Sequence, residues 1–96
     1  ASEDTRADQR RATAQARASI APLKKQAETI EIKINRLRET LLTIDKALMS
    51  PGYFSDHPDL AQAKTIERGQ LVKTIDSLEE DWLIASESYE VAKAAL

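Results

Sequence analysis

Arg10, Arg17 and Lys24 recur every seven residues, a spacing that puts all three on one edge of a helix. Arg6, Arg11, Lys25, Lys33, Arg36 and Arg38 add positive charge around that edge. Seven residues of helix rise about 10 Å, so the row can follow phosphates along a nucleic-acid backbone. The chemistry is ion pairing with a polyanion, weak and salt-dependent, because no base-reading element accompanies it. The residues that would carry it are Arg10, Arg11, Arg17, Lys24, Lys25, Lys33 and Arg36.

Other chemistry finds little support. His57, the only histidine, has Asp56 and Asp59 beside it, and a divalent metal can be imagined there. One histidine with two turn carboxylates reads more simply as a solvated helix-capping cluster. Glu79-Glu80-Asp81 reads as a solvated face. The two glycines are isolated, so there is no phosphate loop of the G-x-x-x-x-G-K-[ST] kind. The available Ser and Thr residues cannot form a nucleophile–base pair with a single histidine. The sequence therefore predicts no catalytic residue, no metal site and no cofactor in this chain.

The elements that must position the basic row are set by an apolar stripe. Ile20, Leu23, Ala27, Ile30, Ile34, Leu37, Leu41, Ile44 and Leu48 alternate intervals of three and four without a gap. Leu71, Ile75, Leu78, Trp82, Ala85, Tyr89, Ala92 and Leu96 repeat the pattern beyond a Pro/Gly break. The simplest partner for the first stripe is the second. The expected fold is all-α: a two-helix antiparallel coiled-coil hairpin and a monomer. Its core holds the helices together and encloses no pocket.

The chain is 96 residues long and 31% charged, with two Gly, three Pro and no Cys. This composition suits one helical domain and offers neither a disulfide framework nor a thiolate metal site. No apolar run approaches the roughly 20 residues of a membrane span, and no signal-peptide core is visible. A cytoplasmic protein without membrane contact is expected. The chain opens with Ala rather than Met, which suggests a processed product or a piece of a longer protein.

Residues 1–5 lack apolar periodicity and read as a disordered linker; the hairpin occupies residues 6–96. Arm one is expected over about 6–49, the tip over 50–56 and arm two over about 57–95. Residues 6–19 favour helix but carry few large apolar groups, so this extension is expected to be helical or partly frayed. Pro22 falls outside the stripe and predicts a kink in a continuing helix. Pro51-Gly52 suits the central pair of a type II turn. Tyr53 and Phe54 are expected to cover the end of the core, Ser55 or Asp56 to cap arm two, and Pro58 to sit in its first turn.

Setting Leu48 near Leu60 gives a register in which Ala27 faces Trp82, Leu23 faces Ala85 and Ile20 faces Tyr89. Between Leu60 and Leu71 the apolar spacing loses phase, which predicts a stutter. The charge is unevenly divided. Residues 1–48 hold ten Lys/Arg against seven Asp/Glu, and residues 49–96 hold four against nine. Either the arms attract one another and select the hairpin, or the basic arm offers a surface to a polyanion.

Several local motifs together resemble the C-terminal coiled-coil domain of bacterial ABC-F ATPases, particularly the Uup-like members. They are the Ala/Arg-rich lead-in, Ala21-Pro22-Leu23-Lys24-Lys25, Ile44-Asp45-Lys46-Ala47-Leu48, and the tip Tyr53-Phe54-Ser55-Asp56-His57-Pro58-Asp59-Leu60. The ending Glu79-Glu80-Asp81-Trp82-Leu83 with Ser86-Glu87-Ser88-Tyr89-Glu90 completes the set. The resemblance implies a cytoplasmic, often ribosome-associated ATP-binding protein with two cassettes and no transmembrane domain. ATP and magnesium belong to the parent cassettes, and the hairpin implied here is a non-catalytic appendage that binds DNA or ribosomal RNA. The alternative is a protein-interaction or spacing arm that docks on those cassettes or on a partner. The acidic second arm departs from a uniformly basic surface.

Overall fold

The computed structural model describes residues 2–96, and Ala1 of the expected linker lies outside them. Helix α1 spans Ser2–Leu48, a four-residue turn of helix α2 spans Tyr53–Asp56, and α3 spans Pro58–Ala94. The described residues form a helical hairpin 82 Å long, with no strand. Its two long helices are antiparallel. Arg68 reaches Asp45 near the tip, whereas Glu79, farther along α3, reaches back to Arg38 on α1.

Helix α1 opens earlier than the sequence suggests. Residues 2–5 are helical rather than a linker, and Glu3 and Asp4 place negative charge at the positive end of the helix dipole. The helix also runs unbroken through Pro22. Proline there removes one backbone donor but is exposed, off the stripe that faces α3.

The tip follows its turn chemistry. The Tyr53 N–H donates to the Ser50 carbonyl at 3.1 Å, and Gly52 holds φ 77° and ψ 0°, the values of the third residue of a type II turn. His57, rather than Ser55 or Asp56, precedes α3, because those two residues are taken up in α2. Pro58 occupies the first turn, where its missing N–H costs nothing. Tyr53 is half-buried and tilts against His57 with ring centroids 5.7 Å apart. Phe54 does not cover the core end as expected; its side chain is exposed.

Ile34, Ile44, Ala61, Ile75 and Ala85 form the buried core, all of them on the facing stripes. The register differs from the expected one by about a helical turn. Ala61, fully buried, anchors the tip end of α3, while Leu60 points to solvent at 57% exposure. Trp82 accordingly groups with Glu31 and Ile34 rather than with Ala27. Tyr89 does share a groove with Ile20, together with Ala21, Lys24 and Lys93.

The expected stutter is replaced by a polar continuation of the seam. Positions 61, 64, 68, 71 and 75 keep the alternating spacing, but Lys64 and Arg68 occupy two of them. Lys64 is half-buried, and Arg68 Nε donates to Asp45 Oδ1 at 2.6 Å. Long cationic side chains can lay their methylene stems on a seam and keep the charge at its edge. The apolar residue nearby, Ile66, faces solvent. Apolar identity alone therefore misplaces both the phase and the register of this segment.

Candidate nucleic-acid interface

All seven candidate basic residues are exposed along α1, but they do not share one surface. Arg17 and Lys24 line a groove with Ile20, Ala21, Tyr89 and Lys93. Two heptads further on, Glu31, Ile34, Asn35 and Arg38 hold the equivalent positions beside Glu79 and Trp82. Arg10 precedes Arg17 by one heptad and continues that edge, and Arg11 and Lys25 stand one residue round from it. Lys33 and Arg36 line a different groove, with Leu37, Thr74 and Leu78, on the other side of the hairpin. The helical rotation separates them from the row because their offsets from Lys24 are not multiples of seven.

The ion pairs show which charges are already engaged. Arg38 pairs with Glu79 and Arg68 with Asp45, and the second of these runs from the acidic arm to the basic one. Lys24 Nζ lies 4.0 Å from Glu28 Oε1 one turn along. Among the described residues, Arg6, Arg10, Arg11, Arg17, Lys25, Lys33 and Arg36 make no ion pair. Attraction between arms thus consumes only Arg38 of the basic residues on arm one. The remainder are exposed cations, and such groups keep their charge available to an external anion.

The charge is concentrated at the open end of the hairpin. Residues 9–27 contain Arg10, Arg11, Arg17, Lys24 and Lys25 and no Asp or Glu. Because the end of α3 groups with Arg17, Ile20 and Lys24, residues 2–16 extend past it as a single helix, a rise of about 22 Å. A shallow groove on this lead-in is lined by Arg6, Gln9, Arg10, Thr13, Ala14 and Arg17, all from α1. Arg6, Gln9 and Thr13 occupy the positions that would carry the apolar seam if it continued. This polar face could have been found in the sequence by extending the stripe backwards and asking what replaces its apolar residues.

The tip carries no comparable cationic set. His57, Asp56 and Asp59 are exposed, and among the described residues no group of His, Cys, Asp or Glu is arranged to hold a metal ion. No helix among the described residues is long and apolar enough to cross a membrane. The grooves are open furrows on the helix surfaces. The chain matches no family model, no curated protein and no solved structure.

Proposed function

We infer that the hairpin is a non-catalytic nucleic-acid-binding appendage of a soluble, cytoplasmic ABC-F-type ATP-binding protein, contacting the phosphates of DNA or ribosomal RNA. The single observation that carries this reading is the acid-free run of residues 9–27, whose arginines make no ion pair among the described residues and lie exposed at the open end. Five cations over that length support salt-dependent binding through counterion release. The family assignment rests on the tip and Trp/Tyr motifs. The parent cassettes would bind ATP and magnesium and hydrolyse the nucleotide.

Charge reversal tests the reading directly. Arg17→Glu with Lys24→Glu should weaken binding of labelled duplex DNA and of ribosomal RNA by about tenfold or more at low salt, whatever the sequence. Equal affinity of the variant and the wild-type chain would point to another surface. A second reading, an arm that docks on the parent cassettes or a partner protein, is favoured by Ile84 and Val91. Both are exposed on a furrow of α3 with Ser88 and Ala92. Alanine at both positions should leave nucleic-acid binding intact and release a docked protein.

A further inference from the structure

The hairpin body and its lead-in differ in width, and width decides what can enter a nucleic-acid groove. Two helices packed 8–10 Å apart form a body roughly 20 Å across. A single helix is about 10–12 Å in diameter, and the major groove of B-form DNA is about 12 Å wide and 8.5 Å deep. Only the lead-in fits. The major groove of A-form RNA is deep and too narrow for side chains to read.

The face that the lead-in leaves open also has side chains suited to that groove. Arg6, Gln9 and Thr13 continue the seam positions along it, and Arg10 and Arg17 line the same shallow groove of α1. Arginine pairs with guanine O6 and N7, and glutamine with adenine N6 and N7. The Thr13 hydroxyl already donates to the Gln9 carbonyl at 2.9 Å, which leaves its methyl group to meet a thymine methyl. Glu3 and Asp4 limit the row at its first turn, and Asp8 lies on the opposite side of the helix from Thr13 and Arg17.

We propose that the lead-in of α1 lies in the major groove of double-stranded DNA, with Arg6, Gln9 and Thr13 against base edges and Arg10 and Arg17 on the phosphates of one wall. This rests on the nucleic-acid reading above and narrows it to one ligand class and one face. Lys33 and Arg36, on the other side of the paired body, take no part.

The test uses the 96-residue chain and three labelled duplexes of one sequence at about 50 mM salt. One is plain DNA, one is DNA whose cytosines carry glucosylated hydroxymethyl groups that fill the major groove, and one is RNA. Plain DNA should bind at least about tenfold tighter than either of the others. Gln9→Ala with Thr13→Ala should lower affinity for plain DNA about fivefold or more, with helicity by circular dichroism unchanged. Lys33→Gln with Arg36→Gln should change it less than about twofold. Equal binding of the plain and glucosylated duplexes, or of DNA and RNA, overturns groove insertion and leaves phosphate contact standing. Unchanged affinity in the Gln9/Thr13 variant also overturns it. Absence of binding to all three overturns both readings.

Discussion

The paired body and the lead-in of α1 share one helix and one periodicity, yet they present opposite chemistry along the same line. At Ile20, Ile34 and Leu41 the stripe meets α3 and is wholly or partly buried. At Arg6, Gln9 and Thr13 the same stripe is polar, exposed and unpaired with α3. A period of 3.5 thus specifies a face but not its use. Residue type decides whether that face closes against a helix or stays open to a ligand.

Substitution on the stripe should break the two regions apart most clearly. Ile75, 6% exposed, packs in the body, and Ile75→Ala should cost about 2–4 kcal/mol through lost burial and a cavity. A hairpin of this size has little stability in reserve, so urea or thermal melting should show large loss of helix. Thr13→Ala, on the continuation of the seam, should change stability by less than about 0.5 kcal/mol. Comparable losses at the two positions would mean that the lead-in is packed after all.

Pro22 lies within the paired body, six residues beyond the lead-in, and offers the next largest effect. Pro22→Ala restores a backbone hydrogen bond on an exposed face and should stabilise the helix by up to about 3 kcal/mol. The gain should appear as slower amide exchange in residues 2–20 and little change near Ile44. Gly69, within α3, has open space where a Cβ would point. Gly69→Ala should therefore raise stability by about 0.5–1 kcal/mol, read in the same melts. No gain would show that some strain at that turn of helix needs glycine.

The smallest effect concerns the polar layer between Arg68 and Asp45. Both side chains keep substantial solvent contact, so a double-mutant cycle with Arg68→Gln and Asp45→Asn should give a coupling below about 1 kcal/mol. A pair this weak can still favour one register, because a slip of one turn would part Arg68 from Asp45. Coupling of several kcal/mol would make the layer a main source of stability rather than of alignment.

The helices, their antiparallel pairing, the Pro51-Gly52 turn and the row from Arg10 to Lys24 were legible in the sequence. Each depends on short-range spacing or on the backbone preference of a single residue, and neither needs knowledge of distant contacts. Register, the buried anchor Ala61 and the sidedness of Lys33 and Arg36 were not. Leu60 is more apolar than Ala61, and Ile66 more apolar than Lys64 or Arg68, yet in both cases the less apolar residues occupy the seam. The chain by itself determined that two apolar stripes would pair and that cations would gather near its start. Only the tertiary structure decided which turn meets which, because register depends on the sum of many contacts along both helices. That alignment also decided where pairing ends and therefore which cations stand on a helix narrow enough to enter a groove.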